Sequence, residues 1–190
     1  MNKNDCVIIF IIVTACLFYI QKLYNEVKYV KSSVDDNKYL VQNKIDKETA
    51  ADMLANLNKK IKTLLAHVKE NFGDKDGVAR LLENYDENNI SEGNEDTNYT
   101  SYSVNKGEKI VFCLRQRNST EEFVDENVLM YVATHELGHL MTKEIGHTKT
   151  FWDNFKFLLL EAEKIGAYKK VDYSEHSAEY CGLNIQNSII

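Results

Sequence analysis

The sequence predicts an α+β fold: a helical scaffold with a small antiparallel β-hairpin, preceded by an N-terminal transmembrane helix. Three observations predict it. Residues 6–20 form an uninterrupted run of apolar and small side chains. Three later stretches repeat apolar residues every third or fourth position, the period of a helix buried on one face. Residues 99–104 and 109–114 are β-prone runs joined by Asn105-Lys106-Gly107-Glu108, where Asn and Gly favour a hairpin turn.

The apolar run at residues 6–20 gives about 22 Å of helix, short of the roughly 30 Å hydrocarbon core. Leu23 and Tyr24 extend it past Gln21 and Lys22, whose long side chain reaches the headgroups. The reading is a single-pass anchor at 1–24, followed by a stalk or linker over 25–44: the helical spacing of Leu23, Val27, Val30 and Val34 continues the anchor helix, and the polar residues 32–38 form a hinge. No small-x-small cleavage pattern follows the run, which weighs against a removed signal. Lys22, Lys28 and Lys31 follow the anchor and only Lys3 precedes it, which directs the main domain to the cytosol.

The main domain is expected at 45–170, with a tail at 171–190. Asp46 is the expected N-cap of a long helix whose stripe is Ala50, Leu54, Leu57, Ile61, Leu64 and Val68. His67 on that helix reads as a solvated residue. A short helix follows with Val78, Leu81 and Leu82. Residues 86–98 are acidic and Asn-rich and read as a loop. In the hairpin, Ile110, Phe112 and Leu114 face one way and Val111 and Cys113 the other. Asp125 caps the next helix, whose apolar positions surround it on most sides; a buried helix of that kind gives a site rigid support. Gly138 lies inside it, where a small residue permits close approach of a strand or substrate. Thr148 caps the helix after it, with Phe151, Phe155, Leu158, Leu159, Ala162 and Ile165 on its inner face.

The chemistry sits in His135-Glu136-Leu137-Gly138-His139. On a helix, residues four apart lie one above the other, so His135 and His139 share a face and can grip one Zn²⁺. Glu136, one step round, reaches a metal-held water as general base. The third ligand is His147, just after Gly146, which can end the helix and turn the chain back. Glu161 and Glu163 are its competitors, since zinc sites also take a carboxylate from a following helix. The spacing H-E-x-x-H-x-x-G-x-x-H fails, because Ile145 stands where its third His would be. Tyr173 and Tyr180 are candidates to stabilise an oxyanion, although packing aromatics is the plainer reading. His176 is expected to be exposed.

The His135–His139 stretch followed by Gly146-His147-Thr148-Lys149-Thr150-Phe151-Trp152 resembles the WLM and SprT-like zinc metallopeptidases. The likeness extends more loosely over about residues 45–165. It implies a zincin-like scaffold, a Zn²⁺ cofactor held by His135, His139 and His147, Glu136 as the catalytic base and acid, and Phe151 as the aromatic packed behind the third ligand. A protein or peptide would be the substrate. The whole plan, with its apolar N-terminus and its Glu179-Tyr180-Cys181-Gly182 tail, is also similar to WLM-like proteins of large DNA viruses, which implies a virion or host membrane.

Composition bounds these readings. The 190 residues hold one domain plus an anchor, and 44% hydrophobic content is ample for a core. The net charge is −6, and Lys3 and Asp5 cancel within residues 1–20, so the rest of the chain carries it. An acidic domain is a poor match for nucleic acid and argues against a DNA–protein crosslink as substrate. The four cysteines form no Cys-x-x-Cys pair, and Cys6 and Cys16 lie in the apolar run. They read as no disulfide framework, with Cys113 a buried thiol in a reducing compartment. The alternative to an enzyme is a structural or interaction protein of a membrane that keeps a zinc-binding fold.

Overall fold

The computed structural model describes residues 2–94 and 99–190. Helix α1 (Lys3–Glu26) leads into strand β1 (Val27–Lys31), which is followed by β2 (Lys38–Gln42), α2 (Lys47–Phe72), α3 (Val78–Asn84), β3 (Ile90–Glu92), β4 (Tyr102–Val104), β5 (Lys109–Phe112), α4 (Glu126–Met141), α5 (Lys149–Lys164), β6 (Ala178–Tyr180) and β7 (Leu183–Ile185). The first five strands make one sheet in the order β1-β2-β3-β5-β4. Pairing is antiparallel at its two edges and parallel in its centre. The α+β reading therefore stands, with a larger sheet than one hairpin.

Helix α1 carries its apolar side chains on the outside: the window Asn4–Gln21 is 18 residues long, apolar enough to cross a membrane, and buried against nothing. The helical stalk does not follow. Residues 27–31 and 38–42 form a β-hairpin, with Val27 opposite Gln42 and Lys31 opposite Lys38. Val27, Val30 and Val34 happen to keep helical spacing. Their β-branched side chains suit a pleated surface as well, and pairing with β2 decides the matter. Val30 and Tyr39 are buried while Lys28, Tyr29 and Lys31 are exposed. The hairpin is tied to α2 by Asp52, which accepts from the Ser32 hydroxyl (2.6 Å) and from the Ser33 amide and hydroxyl.

Helix α2 buries the expected stripe against the sheet. Its expected cap is otherwise engaged. Asp46 makes no cap bond, because its carboxylate accepts from Arg115 Nη1 at 2.6 Å. The stretch read as a loop at 86–98 contains β3, the middle strand of the sheet; residues 95–98 lie outside the described part. Three residues, one of them a carboxylate, carry little strand signal. Glu92 is tolerated there because Arg115 Nε donates to it at 2.9 Å and the Gln42 amide at 2.7 Å. Burial still pushes its carboxyl above the ordinary range against those two donors. Arg115 also lies over the Phe123 ring, at 4.5 Å from its centre.

Asp125 caps α4 as expected, accepting from the amides of Asn127 (2.8 Å) and Val128 (3.0 Å). Thr148 caps α5 through the amide of Phe151. The close approach that Gly138 permits is to neither strand nor substrate. A Cβ there would lie 3.1 Å from the Phe151 ring and 3.3 Å from Phe155 Cβ, so the glycine lets α5 press against α4. The tail is also part of the fold. Cys113 on the chain leaving β5 is disulfide-bonded to Cys181 at the β6–β7 turn, which corrects the reading of Cys113 as a buried free thiol. A separation of 68 residues gave that pairing no local signature. Cys6 and Cys16 are free and exposed on α1.

The Glu92–Arg115 pair is almost wholly buried, so truncating one partner leaves the other charge uncompensated. Arg115→Met is expected to lower folding stability by about 3–5 kcal/mol. Urea unfolding of the full chain in detergent measures it.

Candidate metal centre

Helix α4 carries His135 and His139 on one face, and the chain leaves it at Thr142, which donates its amide and hydroxyl to the Gly138 carbonyl. Gly146 adopts a left-handed backbone (φ 84°), which side chains rarely take. The chain turns back there, and His147 precedes the cap of α5. His135 Nε2 and His147 Nε2 are 3.1 Å apart. Nitrogens from His135, His139 and His147 all lie within 4.8 Å of one another. Around a tetrahedral zinc with bonds of about 2.0–2.1 Å, neighbouring donors sit about 3.3 Å apart, so this donor set fits such an ion.

The surroundings hold the rings and keep them neutral. His139 stacks on Phe151 with centroids 4.2 Å apart, and His147 stacks on Trp152 at 5.5 Å. His135 meets the edges of Phe151 and Phe155 at 4.8 and 5.3 Å. Burial, reinforced by His139 and His147, pulls the His135 imidazolium down to about 3. Burial, His147 and Lys106 pull His139 down to about 4. Both present free lone pairs at neutral pH, the form a metal needs.

Glu136 is buried, and burial pushes its carboxyl up to about 7 while Ser103, through its hydroxyl and amide, pulls it down. Ser103 belongs to β4, the edge strand of the sheet. Together Ser101, Tyr102, Ser103, Lys106, Glu136 and the three histidines line one open cleft of about 590 Å³.

The other candidates are elsewhere. Glu161 is held by His67 Nε2 at 2.9 Å and Lys164 Nζ at 2.5 Å, away from the histidines. Neither Glu161 nor Glu163 joins the histidine cluster. His67 is thus a partner of Glu161 rather than a solvated residue. Tyr173 packs edge-on against Tyr131 at 5.1 Å and does not line the cleft. Tyr180 is buried one layer behind it, its hydroxyl 2.6 Å from Ser101 Oγ. His176 is exposed, as expected. Residues that sequence reasoning passed over are Ser101 and Ser103, Lys106 and Trp152. Alternation along β4 would have aimed Ser101 and Ser103 the same way, and Trp152 directly follows the expected packing aromatic. Lys106 had no signal beyond a turn.

A family model for the WLM domain matches residues 33–188. The chain belongs to the WLM family. Protein R325 of Acanthamoeba polyphaga mimivirus is 36% identical over 185 residues, covering 95% of this chain and 93% of that one. Protein 136R of Invertebrate iridescent virus 6 is 24% identical over 166 residues, 87% and 92% of the two chains. The crystal structure of Wss1 from Saccharomyces cerevisiae superposes with a TM-score of 0.52 at 25% identity, covering 67% of this chain and 88% of the chain in that structure. WLM membership makes this a metallopeptidase-like chain with viral relatives.

The α4–α5 contact is the support of this WLM site. Gly138→Leu overpacks it and is expected to cost about 1–3 kcal/mol of stability, read as a lower midpoint in urea.

Proposed function

We propose that this WLM chain is a zinc-dependent metalloendopeptidase anchored in a membrane by α1. The observation that carries the reading is the convergence of three imidazoles and a buried glutamate in one cleft beside the last strand of the sheet. A structural zinc site has no use for Glu136 in the cleft, which weighs against a non-catalytic role.

His135, His139 and His147 would hold the ion. When bound, zinc supplies a Lewis acid for the scissile carbonyl and lowers the pKa of a bound water. The chain's own residues do the rest. Glu136 takes the proton of that water and passes it to the leaving amine. Ser103 fixes the orientation of Glu136 from β4. Strand β4 is the last strand of the sheet among the described residues, so an extended peptide can add along it and lie across the cleft. Phe151, Phe155 and Trp152 pack against the imidazole rings and hold their orientation.

The anchor restricts substrates to those that meet the membrane, and tethering raises their effective concentration. The lysines after α1 favour a cytosolic domain. The Cys113–Cys181 disulfide favours an oxidising compartment. We give the disulfide more weight, because the lysine excess over Lys3 is small and Lys28 and Lys31 belong to a folded strand.

The full chain in detergent is expected to carry one zinc, and His147→Ala to lose it or hold it far more weakly; elemental analysis after gel filtration reads both. Zinc held equally by that variant would refute the three-histidine site. Glu136→Gln should keep its zinc and lose roughly 10²–10⁴-fold in cleavage rate on an unfolded protein such as casein. Undiminished proteolysis in that variant would sink the mechanism.

A further inference from the structure

The turn between β4 and β5 is strained for its composition. Asn105 and Lys106 both have left-handed backbones, at φ 44° and 60°. Asparagine tolerates that region, but lysine has no local hydrogen bond to offset its steric cost. The turn is also wedged in place. The Gly107 carbonyl accepts from Asn89 at 3.0 Å, and a Cβ on Gly107 would lie 2.1 Å from the Asn84 carbonyl oxygen. Such a conformation persists where the residue has a task.

The task is visible at the other end of the side chain. An ammonium has three donors. Lys106 Nζ donates to the carbonyls of His139 (3.1 Å), Thr142 (2.7 Å) and Glu144 (2.7 Å). One acceptor belongs to the second histidine of the cluster, and the other two lie on the way to the third. A cation there also opposes the negative end of the α4 dipole.

Beyond Glu144 the segment has little else to hold it. Ile145 is 91% exposed, and a Cβ on Gly146 would meet nothing within 4 Å. His147 itself is exposed. Thr142 is also held by Asn154 and by its bonds to the Gly138 carbonyl, and His147 by its stacking on Trp152, while Lys106 ties down the backbone between them at Glu144.

We propose that Lys106 is a positioning residue for His147: by gathering three carbonyls on one ammonium it fixes the segment between the second and third histidines, and so the place of the third donor. This rests on the three-histidine reading of the site. Because Lys106 closes the hairpin that begins with β4, it also ties the peptide-binding edge to the metal-binding loop.

Zinc affinity, measured by competition with a chromophoric chelator on the full chain in detergent, tests it as a double-mutant cycle. Lys106→Met is expected to weaken zinc about 10–100-fold, the usual loss when a supporting partner of a metal ligand is removed. In the His147→Ala background the same substitution should add less than about twofold, because its effect runs through His147. Wild-type affinity in Lys106→Met, or the same loss recurring without His147, would overturn the proposal while leaving the metal site intact. No zinc binding by the wild type would overturn the metal reading, and this proposal with it. If Lys106→Met fails to fold by circular dichroism, Lys106→Gln, which keeps two donors, carries the same comparison.

Discussion

The contact on which the site depends is the close approach of α4 and α5 at Gly138. A helix pair separated by ordinary side chains would leave the third histidine too far from the first two. Here the missing Cβ lets Phe151 and Phe155 come against the backbone of α4. Phe151 then lies flat on His139 and edge-on to His135. The same residues that pack the core therefore orient the imidazoles. Gly138 is unfavourable for α4 as an isolated helix, by about 1 kcal/mol against alanine, and the interface it permits outweighs that preference.

A second layer of support runs from the opposite side. The β6–β7 tail is pinned to β5 by the disulfide, and Gln116 bonds it twice more, to the Cys181 amide and the Glu179 carbonyl. Tyr180 then reaches Ser101 Oγ, which accepts from the Cys113 amide. The wall of the cleft is thus backed by residues from the last part of the chain. Beneath it the Glu92–Arg115–Asp46 network joins β3, the exit of β5 and the start of α2. Buried charges of this kind contribute less to stability than to geometry, because desolvation offsets most of their attraction.

Helices with a long, regular stripe were legible in the sequence, and so were the caps Asp125 and Thr148, because local rules govern both. The H-E-x-x-H helix and His147 were legible for the same reason: their spacing and the flanking glycine are chain-local facts. What could not be read depends on partners distant in sequence. Strand β3 is three residues long and contains a carboxylate that only Arg115 makes tolerable. Asp46 has the chemistry of a cap and is taken by the same arginine. The β1–β2 hairpin was hidden because Val27, Val30 and Val34 keep helical spacing, while the pairing that makes a strand of 27–31 is with β2. Lys106 looks like any polar turn residue until the end of α4 is placed beside it.

The direct passage from α1 into β1 has a practical corollary for handling the protein. The family match begins at residue 33, and a soluble version cut there would lose β1 whole. Strand β2 would become the sheet edge, with its amides and carbonyls facing water and Val41 and Tyr39 at its flank. An edge of that kind pairs readily with a second copy. Aggregation of such a fragment would report the missing strand rather than any property of the intact chain, and a start just upstream of Val27 keeps β1 paired to β2.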